Sequence, residues 1–336
     1  MKILVTGCAG LLGNHFIRHL LDNNYNVFGI DNLSGGYMDY VDQRLVESEK
    51  RDVRFSYIDL LDKENLENIF NYYKPDYVYH FAAYAALGLS PYIRNYNYTN
   101  NILASVNLIN ESIKHDVKKF IFASSMDVYG NQKPPFTEDM TPQPEDPYGI
   151  AKYAIEMDLK NAYEQFGLNY SIIRPHNVVG IYQNIWDKYR NVIGIWIRRI
   201  LNGEPMLIYG DGKQRRAFSD VKYYMKPFEL LMDKCNNDVI NIGADNDFEI
   251  IQIASWLREI SKDFGYYPDI EFREERHEVK NAFCDHSKAK NLLNFKDNTD
   301  IYKLMEEMFE WAVNQPKREV KEFDYEIDKN IYSYWK

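Results

Sequence analysis

The first thirteen residues constrain the start of the fold more than any other part of the chain. Lys2–Thr6 is a short apolar run, and it leads into a stretch in which Gly7, Gly10 and Gly13 are spaced by two residues. Glycines at this spacing let a strand turn tightly into a helix, let a pyrophosphate approach the backbone and direct helix amides at the anion. A glycine triplet alone is a weak signal, so other residues must support a nucleotide site.

A second signal comes from the next predicted strand. Residues 25–30 have a strand pattern that ends at Asp31. At this spacing an acidic side chain accepts hydrogen bonds from an adenosine ribose, and its charge repels a 2′-phosphate. The opening of the chain therefore predicts a dinucleotide site that prefers NAD to NADP.

The first half of the chain alternates between strand and helix patterns. Strand patterns occupy 53–58, 77–81, 120–123 and 170–174, and helical patterns lie near 62–73, 97–115 and 149–166. Repeated βα units predict an α/β fold with a Rossmann-type, doubly wound parallel sheet. We predict a NAD-binding domain over 1–175, with a returning strand near 239–242. Residues 176–336 are predicted to form a smaller, mixed and mostly helical substrate-binding cap.

Composition excludes several classes of protein. The 336 residues are 45% hydrophobic and 27% charged, as in a globular protein. No apolar run approaches the roughly 20 residues that span a bilayer, and the N-terminus has no leader pattern, so we expect a cytoplasmic protein without a membrane partner. The net charge of −10 argues against nucleic acid as a partner. Three scattered cysteines lack metal-ligand spacing, so no metal site is predicted.

Tyr148 and Lys152 form a candidate acid–base pair. They are four residues apart in a predicted helix and therefore share one face. An ammonium beside a phenol stabilises the phenolate, which lowers the pKa of the phenol towards the range where it takes a proton from a sugar hydroxyl. Such pairs also occur by chance in a chain with 28 tyrosines, so the pair needs support from other motifs.

That support comes from Ser124-Ser125-Met126-Asp127, which follows the predicted strand 120–123. With this motif in place, the chain resembles the extended short-chain dehydrogenase/reductase family, the NAD-dependent nucleotide-sugar epimerases and dehydratases, over nearly its whole length. The resemblance implies that NAD is bound by Gly7, Gly10, Leu11, Leu12, Gly13, Asp31, Asn32, Asp59, Leu60, Phe81, Ala82, Ala83, Asn101, Tyr148, Lys152 and Pro175.

The same resemblance implies three catalytic roles. Ser125 would hydrogen-bond the reacting hydroxyl, Tyr148 would act as base and later as acid, and Lys152 would hold the nicotinamide ribose while tuning Tyr148. Ser124 is expected to be structural at the strand end. His80 fits the family's turn after a strand and is not expected to do acid–base chemistry.

Substrate-binding residues are expected in the second half of the chain. Ser125 would contact the sugar, and Asn177 matches the asparagine that family members direct at the substrate diphosphate. Arg216 and Arg276 resemble the family's two diphosphate or ribose arginines. Guanidinium groups suit these places because they bind phosphate oxygens in pairs. We therefore expect a nucleotide-diphosphate sugar as the substrate.

The residues that follow Ser125 reduce the number of reactions that the resemblance allows. Glucose-type dehydratases of the family carry Asp and Glu there, whereas this chain has Met126 and Asp127. Methionine cannot donate a proton to a departing hydroxyl, and Asp127 is either a base or a hydrogen-bonding group. The resemblance thus favours redox chemistry at C4, as a 4-epimerase or a 4-dehydrogenase, over a 4,6-dehydratase.

Two further expectations concern biological context. Residues 187–194 resemble bacterial epimerase-like members of surface-polysaccharide pathways, one subgroup of which oxidises GDP-manno-heptose at C4 for capsule synthesis. A non-catalytic, NAD-binding regulatory protein is a different alternative, against which the joint presence of Ser125, Tyr148 and Lys152 argues. Family members commonly pair helices like those near 97–115 and 149–166 in a four-helix bundle, so we expect a homodimer.

Overall fold

The first half of the molecule alternates strands and helices. The computed structural model describes residues 1–46, 54–275 and 281–332. The strands are β1 (Lys2–Thr6), β2 (Asn26–Asp31), β3 (Phe55–Tyr57), β4 (Tyr77–His80), β5 (Lys119–Ala123) and β6 (Tyr170–Pro175). The helices are α1 (Leu11–Asp22), α2 (Gln43–Val46), α3 (Lys63–Tyr73), α4 (Arg94–Tyr98), α5 (Ala104–Lys114) and α6 (Pro147–Phe166). A π-helical turn at Thr99–Leu103 joins α4 to α5.

The second half contains shorter strands. These are β7 (Val178–Val179), β8 (Met206–Tyr209), β9 (Arg215–Ala217), β10 (Ser219–Asp220), β11 (Asp238–Ile242), β12 (Asp247–Glu249), β13 (Ile270–Arg273) and β14 (Asn281–Ala282). The helices are α7 (Val192–Leu201), α8 (Met225–Leu230), α9 (Ile250–Asp263), α10 (Ser287–Leu293) and α11 (Ile301–Val313). Short 3-10 helices lie at Met38–Tyr40, Leu87–Tyr92, Met126–Tyr129 and Val221–Tyr224. Of the helices described, none is long and apolar enough to cross a bilayer.

The central sheet has seven parallel strands in the order β11-β6-β5-β4-β1-β2-β3. The strand order reverses between β1 and β4, and ligands of such sheets bind at this switch point, beyond the carboxyl ends of the strands. This arrangement confirms the predicted Rossmann-type α/β fold. The strand at Asp238–Ile242, which pairs with β6, lies where a returning strand was expected.

Helices cover both faces of the sheet, which explains the apolar character of β1. Ile3 and Val5 pack in a cluster with α1 and α8, whereas Leu4 points to the opposite layer beside α3, α5 and α6. A strand buried on both faces has no polar alternation. The sheet edge above β1 is therefore rigid and well placed to hold a ligand.

The second half has its own apolar core. Helices α7, α9 and α11 contribute Trp196, Ile253 and Met308 to one cluster. Small sheets surround it: β8 pairs with β13, and β9 lies between β12 and β14. This region is mixed and carries fewer strand residues than helix residues, as predicted for the cap.

Residues 318–331, the C-terminal segment, return to the first half. The Nζ of Lys321 donates to the carbonyl of Ser34 at 3.0 Å, in the loop after β2. The Glu326 carboxylate accepts the amides of Asn95 and Tyr96 at 2.7 and 2.9 Å, which satisfies unpaired amides at the start of α4. The C-terminal segment thus ties the cap to loops of the sheet domain.

Candidate active site

The glycine turn forms one wall of a cleft at the carboxyl edge of the sheet. Gly7 has a φ of +71°, and a Cβ there would lie 2.6 Å from the amide of Ala82. A Cβ on Gly13 would lie 2.2 Å from the carbonyl of Gly7, so only glycine lets α1 pack this closely on β1. No side chain caps the N-terminus of α1, and its amides are therefore available to an anion.

The ribose end of the cleft is built at the ends of β2 and β3. Asp31 accepts the amides of Ala9 and Leu33 at 2.8 and 2.7 Å. Burial raises the pKa of Asp31, while these two hydrogen bonds and the charge of Arg190 oppose the rise. Asn32 donates to Asp59 at 2.7 Å, which joins the two strand ends. A carboxylate held this way fits an adenosine ribose.

The cleft encloses ≈ 1090 Å³, open solvent included, and can hold a dinucleotide. It is lined by 15 of the 16 residues that the sequence assigned to the cofactor, from Gly7 and Asp31 at one end to Tyr148, Lys152 and Pro175 at the other. The glycine cradle, the uncapped helix and the ribose carboxylate all fit NAD.

Asn101 differs from the other assigned residues. Its side chain is buried, accepts the amide of Tyr84 at 2.8 Å and donates to the carbonyl of Tyr84 at 3.1 Å. It does not itself line the cleft, whereas its neighbour Asn100 and Tyr84 do. Asn101 therefore holds the Tyr84 loop, and any effect on the cofactor passes through that loop.

Helix α6 positions the predicted catalytic pair. Asp146 caps the helix by accepting the amides of Tyr148 and Gly149 at 2.9 and 3.0 Å, and Pro147 occupies the first turn, where no backbone donor is needed. Tyr148 and Lys152 then lie one turn apart, with Lys152 Nζ 5.8 Å from the centre of the Tyr148 ring. The helix thus presents both side chains to the cleft.

Lys152 is held from below by the sheet. Its Nζ donates to the carbonyl of Ala123 at 2.7 Å and lies 4.8 Å from the centre of the Phe122 ring. Burial lowers the pKa of Lys152 to about 7, although the charge of Glu156 opposes the shift. A cationic Lys152 therefore requires a compensating anion or acceptor in its surroundings.

A buried ion pair fixes α6 against the sheet. Arg174 on β6 donates from Nε to the Glu156 carboxylate at 2.9 Å, and Ser124 also donates to that carboxylate. Glu156 lies one turn beyond Lys152 on the same helix. The pair therefore fixes the rotation of α6. Ser124 was predicted to be structural, and it makes this contact while also lining the cleft.

Ser125 is in hydrogen-bonding contact with Tyr148 and stands in a short turn with Asp127, but it does not itself line the cleft. Its Oγ donates to Asp127 Oδ2 at 3.0 Å. Burial raises the pKa of Asp127 to about 7, and Asp146 adds to the rise. The pKa of Tyr148 is raised, first by burial and then by the Asp127 charge, although a hydrogen bond with Ser125 and the charge of Arg190 oppose the rise. Asp127 thus accepts a hydrogen bond from Ser125, and its charge raises the pKa of Tyr148. The expected lowering of this pKa by Lys152 is therefore wrong in this structure, because burial dominates at both side chains.

Of the predicted substrate residues in the second half, the structure describes Asn177 and Arg216, and neither lines the cleft. Asn177 follows Pro175 with a φ of +41°, and within the described part of the chain its buried Nδ2 has no hydrogen-bond acceptor. Arg216 lies on β9, near enough to Asp127 for its charge to lower the pKa of that carboxyl. Arg276 lies outside the described residues.

The cleft-lining residues that the sequence reasoning did not assign to a ligand include Gly35, Gly36 and Arg190. Gly35 and Gly36 lie in the loop after β2, beyond Asp31, and a Cβ on Gly36 would lie 2.3 Å from the carbonyl of Ala9. Their adjacency in the sequence was an available signal for close backbone approach. Arg190 lines the cleft from the second half, and it stands in a run that the sequence analysis used only for family resemblance.

His176, Cys284 and His286 also come together, next to the substrate side. The two histidines have their Nε2 atoms 2.9 Å apart, and His286 Nδ1 lies 3.2 Å from Asp245. A Cβ on Gly243 would collide with the His176 ring at 1.6 Å. The two Nε2 atoms therefore pair with each other, whereas the buried Nδ1 of His176 has no hydrogen-bond partner among the described residues, and glycine at 243 makes room for the ring.

Comparison with known proteins agrees with this geometry. Residues 3–243 match the model of the NAD dependent epimerase/dehydratase family. A putative UDP-glucose 4-epimerase of Methanocaldococcus jannaschii is 30% identical, over 93% of this chain and 98% of its own length.

Two solved structures share the fold over nearly all of both chains. The UDP-glucose 4-epimerase of Thermotoga maritima, solved with UDP-glucose, has a TM-score of 0.85 and 33% identity, over 93% of this chain and 99% of that one. The UDP-glucuronic acid 4-epimerase of Bacillus cereus, in complex with UDP-glucuronic acid and NAD, has a TM-score of 0.81 and 29% identity over the same shares. The chain belongs to the NAD-dependent epimerase/dehydratase family of nucleotide-sugar enzymes, and NAD is its cofactor.

Proposed function

We propose that the protein is a 4-epimerase of a UDP-activated sugar. The observation that carries this proposal is that Tyr148 and Lys152 line one end of the dinucleotide cleft, with Ser125 in hydrogen-bonding contact with Tyr148. The similarity to 4-epimerases that were solved with UDP-glucose and with UDP-glucuronic acid supports the choice of UDP.

The proposed proton steps use groups of this chain. The Tyr148 oxygen takes the proton from the sugar O4, while Ser125 hydrogen-bonds the same oxygen. NAD supplies the acceptor for the C4 hydride, and in an epimerase that hydride returns to the opposite face of the same carbon. Tyr148 then gives its proton back to O4, so the overall change is an inversion without gain or loss of atoms.

The surroundings of Ser125 argue against elimination of water. Met126 packs with Val128, Tyr129 and Phe136 in a buried apolar cluster rather than lining the cleft. A thioether in that position cannot protonate a departing hydroxyl. Asp127 is engaged by Ser125. The site therefore has equipment for one proton transfer at O4 and lacks the predicted acid for a 4,6-dehydratase.

The division of the chain fits this chemistry. The proposal assigns cofactor binding to residues 1–175 and sugar-nucleotide binding mainly to residues 176–336, through Asn177, Arg216 and Arg276. The unpaired Asn177 amide supports this assignment because a buried donor without an acceptor carries a free-energy cost that a ligand oxygen would remove.

A homodimer is the proposed assembly. Leu103, on the turn before α5, and Ile150, Met157 and Tyr163, on α6, are between 41% and 52% exposed. These two helical elements pack side by side, so their exposed apolar side chains form a surface suited to a second copy. Light scattering of the purified protein tests this assembly, and a monomer at micromolar concentration would contradict it.

The activity is tested by incubating the protein with a panel of UDP-glucose, UDP-N-acetylglucosamine, UDP-glucuronic acid and GDP-manno-heptose. Product mass and proton NMR are measured while NADH absorbance is followed. An isomer of unchanged mass from a UDP sugar supports the proposal.

Other outcomes overturn particular parts of the proposal. Accumulating NADH with loss of two hydrogens identifies a 4-dehydrogenase instead, and loss of water identifies a dehydratase. Turnover of GDP-manno-heptose alone replaces UDP with the substrate suggested by residues 187–194. Binding of NAD without turnover of any sugar favours the non-catalytic alternative.

A further inference from the structure

We propose that Arg190 binds the diphosphate of the cofactor, so that a residue from the second half of the chain clamps a ligand held mainly by the first half. Arg190 lines the cleft together with the glycine turn. Its guanidinium rests on the loop after β2: a Cβ on Gly35 would lie 2.5 Å from one terminal nitrogen and 3.3 Å from the other. Those two nitrogens therefore face the backbone that follows the ribose carboxylate.

The position of Arg190 along the cleft indicates which part of the cofactor it meets. Its positive charge acts on Asp31, at the adenosine end, and on Tyr148, at the nicotinamide end. The diphosphate is the part of a dinucleotide that joins these two ends. Arg190 thus lies where the negative charge of the ligand is expected.

The other positively charged side chain in the cleft, Lys152, already has a hydrogen-bond partner. Among the described residues that line the cleft, the positively charged side chains are Lys152 and Arg190. Lys152 donates to the carbonyl of Ala123 beneath the catalytic tyrosine. In a protein with a net charge of −10, a diphosphate requires a local cation, and a guanidinium can offer paired donors to phosphate oxygens.

Arg190 is also held in one orientation. Its Nε lies 3.0 Å from the carboxylate of Asp187, a residue whose side chain is fully buried. The guanidinium carbon lies 4.9 Å from the centre of the Tyr84 ring, and the Tyr84 hydroxyl donates to the same carboxylate at 3.2 Å. The ion pair with Asp187 and the ring contact with Tyr84 therefore hold the guanidinium in place, with its terminal nitrogens beside the loop after β2.

The test compares ligands that differ in their phosphates. Binding of NAD, ADP-ribose, adenosine and UDP to the full-length chain is measured by equilibrium dialysis, for wild type and Arg190→Gln. We expect Arg190→Gln to weaken NAD and ADP-ribose by roughly 10- to 100-fold, as for loss of charged hydrogen bonds, and to leave adenosine and UDP within about twofold.

Two more variants separate a direct contact from a general effect on the loop. Lys188→Gln removes the same charge two residues away, where Lys188 pairs with the exposed Glu322, and should bind all four ligands like wild type. Gly35→Ala should displace the guanidinium by steric contact and weaken NAD and ADP-ribose in the same direction, by less than Arg190→Gln.

Three results would overturn the assignment. Unchanged NAD and ADP-ribose binding in Arg190→Gln would show that the diphosphate is held elsewhere. An equal loss of adenosine would mean that Arg190 only supports the loop. A loss confined to UDP would place Arg190 at the substrate diphosphate instead. None of these readouts depends on which sugar reaction the enzyme performs.

Discussion

The two halves of the cleft are built by different physical means. On the cofactor side, Gly7 and Gly13 admit the ligand because they lack side chains, and Asp31 is held by two backbone amides. On the proposed substrate side, Asn177 lies directly before β7 and Arg216 lies on β9, both in short segments of the second half. The first half binds through backbone shape. The second half depends on how distant segments come together.

This difference explains why relatives of such a protein keep one cofactor and vary in substrate. A backbone cradle tolerates few changes, because a Cβ on Gly13 would lie 2.2 Å from a carbonyl. Side chains on loops can be exchanged without disturbing the sheet. We therefore expect substitutions on the cofactor side to affect binding of every ligand that carries the dinucleotide, and substitutions on the substrate side to discriminate between sugars.

The largest expected effect is at the meeting point of the two halves. Tyr148→Phe removes the group proposed to move the O4 proton, and kcat should fall by about 10²- to 10⁴-fold. NAD binding should stay within about threefold, because the change removes one hydroxyl from the cleft. Turnover is measured by NMR and cofactor binding by dialysis.

The control for this variant lies on the same helix. Tyr163→Phe removes a hydroxyl from a side chain that is 41% exposed, and its kcat should match wild type. Retention of activity in Tyr148→Phe would contradict the proposed base and would return attention to Asp127.

A change on the cofactor side is expected to act on binding. Asp31→Asn removes the charge and leaves one acceptor oxygen where the Ala9 and Leu33 amides use two, and NAD affinity should fall by roughly 10- to 100-fold. The preference for NAD over NADP should narrow at the same time, because the repulsion of a 2′-phosphate is lost.

Titration calorimetry with both cofactors measures this change. Asp39→Asn is the matched control, because Asp39 is 53% exposed and pairs with Arg318. An Asp31→Asn variant that discriminates against NADP as strongly as wild type would show that the carboxylate charge is not the basis of cofactor choice.

A smaller effect, on the pH dependence of activity, is expected from removing the charge of Asp127. The Asp127 carboxylate raises the pKa of Tyr148, so Asp127→Asn should lower that pKa. A base that loses its proton more readily works at lower pH, and the acidic limb of the kcat/KM profile should therefore move down by about one pH unit.

Asp139→Asn, an exposed change in the loop that precedes α6, should leave the pH profile in place. A shift of the Asp127→Asn limb to higher pH would mean that Asp127 stabilises the phenolate indirectly, through Ser125, more than its charge opposes it.

The smallest expected effect is a pH dependence of stability that comes from one buried histidine in each half of the chain, His80 and His176. Burial lowers the pKa of His80 and of His176 to about 3, from an ordinary value of 6.5. Between these values the unfolded chain binds more protons, so the free energy of unfolding should decrease as the pH falls below about 6.5. Each histidine contributes up to about 1.4 kcal/mol per pH unit.

Urea unfolding between pH 4 and pH 8 measures this slope. His80→Gln and His176→Gln should each make the slope shallower. A slope that is unchanged in His80→Gln would show that His80 is protonated in the folded protein.

The sequence predicted the cofactor side because its signals are local. The spacing from Gly7 to Gly13, and the position of Asp31 at the end of a strand, determine backbone geometry within a few residues. The fold class followed from the same regular alternation of strands and helices. Asn101 shows the limit even there: the motif located its helix, but the direction of its side chain depends on the Tyr84 loop.

Arg190, which lines the cleft from the second half, could not be predicted from a local signal. Arg190 is 177 residues from Gly13, and its ion pair with Asp187 gives no spacing that distinguishes it from a solvated arginine. Its place in the cleft depends on how the chain crosses from β6 to α7. The packing of Met126 away from the cleft could not be predicted either, since the sequence showed only that its thioether cannot donate a proton.

The C-terminal segment gives the assembly of this site an order in time. The hydrogen bond from Lys321 to Ser34 joins residues 287 positions apart. During synthesis, Lys321 therefore leaves the ribosome long after the loop that follows β2. The sheet domain can fold earlier, since its pairings are complete once β11 has emerged. A nascent chain halted before residue 318 is therefore expected to hold a formed glycine turn but a loop after β2 that lacks its bond to Lys321, and translation of residues 318–331 would govern when that loop is fastened.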